Sequence, residues 1–123
     1  YCWHGVDGFS KFGSYTGNYD TDGPFVYTGF KPACVIFKNI DTARNWCIYD
    51  NARDTINPVA NRLLPDTTNA DINSAATPID FLSNGFKIRG QTNATNESGD
   101  TIIYMAFAEH PFVGDGTSPV TAR

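Results

Sequence analysis

Residues 79–90, IDFLSNGFKIRG, place Asn84-Gly85 between two short apolar runs, Ile79-Asp80-Phe81-Leu82 and Phe86-Lys87-Ile88. An Asn-Gly pair flanked this way is the strongest short-range signal for a β-hairpin. The stretches around it carry the same signature. Residues 101–110, TIIYMAFAEH, form the most apolar segment of the chain and read as a central strand. PACVIFKNI, Pro32 to Ile40, is a continuous apolar run of strand length, which predicts a strand covered on both faces. WCIYD, Trp46 to Asp50, follows it after DTARN and completes a hairpin with a medium loop. GPFVYTGF, Gly23 to Phe30, sets Phe25, Tyr27 and Gly29 against Val26, Thr28 and Phe30, and Ser10 to Tyr15 is a short aromatic strand.

From Asn51 to Thr77 the pattern breaks into a polar excursion with two interior prolines, in which only Val59 to Leu64 predicts a helical turn. The tail, residues 114–123, is expected to be extended. Short strands, Gly/Asn turns and little helix indicate an all-β fold, an antiparallel β-sandwich or jelly roll of lectin-like type. The chain has 123 residues, enough for one domain. Its 14% aromatic content and scarcity of Leu favour sheet over helix.

The net charge is -4 and the nine basic residues are scattered, so nucleic acid and anionic membranes are not expected partners. No apolar run approaches the ~20 residues that cross a bilayer as a helix. Cys2, Cys34 and Cys47 form no CxxC pair, which argues against zinc. Cys34 and Cys47 lie on adjacent strands and are a candidate disulfide, with buried free thiols the alternative.

Catalytic candidates are few. His4 and His110 sit at opposite ends of the sequence, Ser14 and Ser83 lack a nucleophile elbow, and Asp50, Arg53 and Asp54 in YDNARD read as loop-bracing groups. Asp66, Asn69, Asp71 and Asn73 offer oxygen ligands without an EF-hand spacing. No catalytic residue, metal or cofactor is expected. Asn93-Ala-Thr95 and Asn96-Glu-Ser98 are adjacent N-glycosylation acceptors. Trp46 and Tyr49 are candidates for a sugar-stacking platform, with core packing as the alternative for each.

Read together, GSYTGN (13–18), DGPFVYTGFKPACVIFK (22–38), NWCIYDNARD (45–54), IDFLSNGFKIRG (79–90) and TIIYMAFAEHPF (101–112) resemble an uncharacterised β-sandwich domain. That domain recurs at the C-terminal end of large structural proteins of phages, especially aquatic ones, and in related bacterial chains. The resemblance covers nearly the whole sequence. It implies a lectin-like or jelly-roll fold and a virion or appendage role, and it transfers no active site.

In longer relatives a stretch like residues 1–17 looks like a junction between domains, and SPVTAR resembles a natural C-terminus. Residues 1–8 are therefore expected to form either an edge strand of this domain or a strand exchanged with a neighbour. Tyr1, Cys2, Trp3 and His4 would then carry assembly, with Trp3 as the anchor. The expected function is a non-enzymatic structural subunit of an extracellular filament or phage tail-type appendage, assembling head to tail with copies of itself through strand-edge contacts, in an extracellular or virion-surface location. The alternative is a carbohydrate-binding module with glycans as partner.

Overall fold

Met105 stands midway along the strand that organises the protein, β9 (Thr101–Ala108), which pairs on one side with β1 (Ser10–Thr16) and on the other with β3 (Pro32–Asn39). The computed structural model describes residues 2–110. Beyond β3 the sheet continues through β4 (Cys47–Asp50), β5 (Asn61–Leu63) and β6 (Ile72–Asn73). A smaller sheet of β2 (Phe25–Tyr27), β8 (Gly85–Ile88) and β7 (Ile79–Leu82) packs on one face of the larger one, and every pairing is antiparallel. The architecture is a β-sandwich, as the segment pattern predicts.

Between the sheets the core is largely aromatic. Phe86 of the small sheet meets Phe37 and Tyr104 of the large one edge-on, with ring centroids 5.3 and 5.2 Å apart. Phe37 also meets Tyr49 at 5.8 Å, and Tyr15 packs against Phe37, Phe86 and Tyr104. Burying one such ring stabilises by roughly 1.5–3 kcal/mol, and each edge-to-face pair adds about 0.5–1.5 kcal/mol. This is why few leucines suffice.

The hairpin of residues 79–90 forms with Ser83 and Asn84 in the turn, and Leu82 faces Gly85 across it. Asn84 then holds β2, because its carbonyl accepts the N–H groups of Thr28 and Gly29 at 2.9 and 3.2 Å. Gly85 is required by crowding: a Cβ there would lie 2.0 Å from the carbonyl oxygen of Val26.

Two fully buried asparagines pin the loops at one end of the sandwich. Asn39 donates to the Asn93 carbonyl (3.0 Å) and the Asp100 carboxylate (2.8 Å), and accepts from the N–H groups of Asp41 and Thr42. Asn96 donates to the carbonyls of Asp20 and Gly90 and accepts the N–H of Asn18. Buried side-chain amides persist only when their hydrogen bonds are met, and these are.

Several expectations need correction. Residues 59–64 form no helical turn: Val59 bridges Ile79, and Asn61–Leu63 pair with β4. Their backbone donors and acceptors are met by strand partners, and Val59 and Leu64 enter the core. The polar excursion thus supplies two strands. Residues 2–5 belong to no strand, and the first pairing is the Val6–Ser10 bridge. Cys34 and Cys47 are free thiols. Cys34 lies opposite Asp50 and Cys47 opposite Phe37, so they are three positions apart along the ladder, about 10 Å, and on opposite faces. Tyr1 and the tail at 114–123 lie outside the described residues.

Candidate functional site

Among the described residues, β3 is covered by a second sheet on one face only. Its inward residues Val35, Phe37 and Asn39 are fully buried, while Cys34, Ile36 and Lys38 face outward and stay half-exposed. β9 repeats this, with Ile102, Tyr104 and Ala106 inward and Ile103, Met105 and Phe107 outward. Strands that are apolar on both faces belong to sheets covered on both faces. Here the small sheet covers one.

Register turns these outward side chains into a continuous feature. Phe12 pairs with Met105, Met105 with Ile36, Ile36 with Ile48, and Ile48 with Leu63. At about 4.8 Å per strand this apolar row spans roughly 19 Å across five strands. It is flanked on one side by Ser14, Ile103 and Lys38, and on the other by Ser10, Phe107, Cys34 and Asp50.

The N-terminal segment lies over one end of this face. Trp3 stacks on Phe12 with centroids 6.0 Å apart and 23° between the planes, yet remains 65% exposed. Phe12 meets Phe107 edge-on at 6.0 Å, and Phe107 meets Phe9 at 6.5 Å. Trp3, Phe12, Trp46, Ile103 and Met105 line a trough of about 440 Å³. Cys2 and His4 beside it are exposed.

The proposed platform of Trp46 and Tyr49 does not form. Positions three apart on a strand face opposite ways, so Trp46 joins the outer trough while Tyr49 is fully buried, its hydroxyl donating to the Thr77 carbonyl at 2.9 Å. Burial, reinforced by the neighbouring Cys47, pushes the Tyr49 hydroxyl up to about 12. Burial also raises the thiols of Cys34 and Cys47, against the opposing charges of Arg53 and Arg62 respectively. The second glycosylation acceptor is excluded as well. The Asn96 side-chain nitrogen, where a glycan would attach, is buried and engaged in two hydrogen bonds. Asn93 is half-exposed at the mouth of a cleft.

The polar candidates brace loops. Asp50 caps the N–H groups of Ala52 and Arg53, and Arg53 pairs with both Asp50 and Asp71. Asp54 accepts from the N–H groups of Ala60 and Asn61 and from the Asn61 side chain. Partial burial would raise its carboxyl, but these hydrogen bonds prevail and hold it below its ordinary value. Asp66 accepts the N–H of Trp46, and Asp71 pairs with Arg53. Among the described residues no group of three or more His, Cys, Asp or Glu side chains is placed to hold a metal ion. Ser14, Ser83, His4 and His110 are all exposed.

Residue-by-residue reading missed the row itself, whose signal was the double-sided apolarity of β3 and β9. It also missed Arg62, which sits at the edge of the core with its Nε and Nη1 shielded from water beside the Cys47 thiol and the Tyr49 hydroxyl. No motif marks it.

Residues 1–111 match the family described as a domain of unknown function (DUF7483), and the chain belongs to that family. No curated protein and no solved structure matches the chain.

Proposed function

We propose that this domain is a non-enzymatic structural subunit of an extracellular filament or phage tail-type appendage, joined head to tail to further copies of itself. The observation that carries this reading is the apolar row Phe12–Met105–Ile36–Ile48–Leu63 on a sheet face that, among the described residues, no second sheet covers. A half-exposed apolar band, widened by Ile103 and Phe107 and met at its margins by Ser14, Lys38 and Asp50, has the composition of a contact surface, apolar at its centre and more polar at its rim. Trp3, already seated on Phe12, supplies a large aromatic anchor of the kind that dominates interface energetics.

A second copy is the occupant favoured by the opposite side of the sandwich. There Phe25 and Tyr27 project outward from β2, 46% and 61% exposed. Two different apolar faces on opposite sides make a face-to-back contact heterologous, and repetition of such a contact builds an open filament. The seven-residue edge of β1, unpaired on its outer side among the described residues, offers main-chain groups for strand addition next to the same face.

The test is self-association of the purified chain, followed by light scattering and electron microscopy. Met105→Glu, which puts a charge at the centre of the row, and deletion of residues 1–4 should each give folded monomers where the parent chain forms filaments. Filaments of parental length from both variants, or a parent chain that stays monomeric at high concentration, refute the reading.

The trough between Trp3 and Trp46 favours a second reading, a carbohydrate-binding module that stacks a sugar there. Specific glycan binding that is lost in Trp46→Ala, by a chain that does not self-associate, would select it.

A further inference from the structure

The small sheet covers only part of the inner face of the large one. Past its margin, β4 and β5 form the floor of a separate cleft of about 450 Å³, walled by the loops at 43–45 and 91–94. Arg62 lies on this floor opposite Tyr49 in the β4–β5 ladder. It takes part in none of the ion pairs among the described residues, and two of its three guanidinium nitrogens are shielded from water beside the neutral Cys47 thiol and Tyr49 hydroxyl. The nearby Asp66 is exposed and accepts the Trp46 N–H instead. A guanidinium held this way has lost much of its hydration without gaining a counter-charge, an arrangement that an arriving anion relieves.

From this we infer that the cleft binds a sugar acid, a hydroxylated ring that carries one carboxylate. The planar guanidinium of Arg62 matches a carboxylate in shape and charge. Arg44 at the rim adds a second cation, held to Glu97 only at 3.7 Å. The remaining polar lining is Asn45, Gln91, Thr92 and Asn93, side chains that both donate to and accept from hydroxyl groups. No aromatic ring among the described residues lines the cleft, so a neutral sugar would lack its usual stacking surface, and the carboxylate supplies the main attraction. The volume lies within the ~300–1,000 Å³ of small-molecule sites. This inference is independent of the assembly reading, since the cleft and the apolar row lie on opposite faces of the large sheet.

The test is titration of the full chain with sodium glucuronate, read by amide chemical shifts and calorimetry, with glucose, the methyl ester of glucuronate and inorganic phosphate as comparators. Glucuronate should bind saturably and shift the amides of 91–94 and Arg62. Glucose and the ester, which lack the charge, should bind roughly ten- to hundredfold more weakly. Arg62→Met should abolish the response while keeping the fold, because it replaces an unpaired buried charge with an apolar chain of similar length. If that variant fails to fold, Gln91→Ala and Asn93→Ala at the cleft walls should each weaken binding several-fold. No saturable response to glucuronate overturns the proposal. So does phosphate or glucose binding as tightly as glucuronate, or an Arg62→Met chain that binds like the parent.

Discussion

Replacing Asn39 with Ala tests whether a single buried amide holds the loop end of the sandwich together. The substitution removes four hydrogen bonds: two donated by Nδ2, to the Asn93 carbonyl and the Asp100 carboxylate, and two accepted by Oδ1, from Asp41 and Thr42. At about 1 kcal/mol net each, the ceiling is about 4 kcal/mol. Asp41 and Thr42 are exposed, so water replaces part of what their N–H groups lose, leaving an expected loss of roughly 2–3 kcal/mol. For a domain of this size that lowers the melting temperature by about 8–15 °C. Urea denaturation followed by tyrosine and tryptophan fluorescence measures it directly.

Asn39→Asp sharpens the test. It keeps an acceptor for Asp41 and Thr42 but sets a buried carboxylate against that of Asp100, which raises its pKa in the folded state. A raised folded value means that the folded state holds the proton more tightly. Stability is therefore greatest below the unfolded value of about 3.9 and falls as pH rises through the folded one. This variant should be weaker than the parent at neutral pH and recover on acidification. A loss below about 0.5 kcal/mol in Asn39→Ala, or no pH-dependent recovery in Asn39→Asp, refutes the role assigned to this side chain.

Three further outcomes are expected. Tyr49, raised to about 12 by burial, favours the folded state fully below pH 10, and this contribution is lost as pH climbs from 10 toward 12; an alkaline melt monitored by tyrosinate absorbance should show unfolding in that window, and normal titration of all tyrosines in a still-folded chain would contradict it. Thiol labelling of the folded chain should modify Cys2 quickly, Cys34 slowly and Cys47 only after denaturation, and mass spectrometry should find no Cys34–Cys47 bridge under mild oxidation. Gly85→Ala should destabilise by about 2–3 kcal/mol or abolish folding, because its methyl group would collide with the Val26 carbonyl; a melting temperature within a few degrees of the parent would remove that explanation.

Much of the fold was legible because its strong strands carry their own signals. The Asn84-Gly85 pair marks β7 and β8, and the unbroken apolarity of residues 101–108 marks the central strand. What hid from the sequence depends on register. β5 and β6 are short and polar, and their partners decide their conformation. Asn96 has the pattern of a glycan acceptor and the position of a core amide, and only burial tells these apart. The separation of Trp46 from Tyr49 was readable, since an odd spacing on one strand sends two side chains to opposite faces. The pairing of Cys34 with Asp50 was not, because a hairpin loop of medium length admits more than one register.

The place of β9 in the large sheet also bears on the timing of biosynthesis. Ser10 pairs with Phe107, and Met105 joins Phe12 to Ile36, so strands from the beginning of the domain wait for the last of the described strands. At about 5–20 residues per second the ribosome needs roughly 5–20 s to travel that distance. Until then the apolar row is incomplete: Ile36, Ile48 and Leu63 sit on strands that pair with one another, but Phe12 is joined to them only through Met105. Chains emerging side by side on one message therefore cannot recognise each other through the whole row. The contact proposed to join copies becomes available only to a finished domain, which makes late completion of the sheet a safeguard against premature polymerisation.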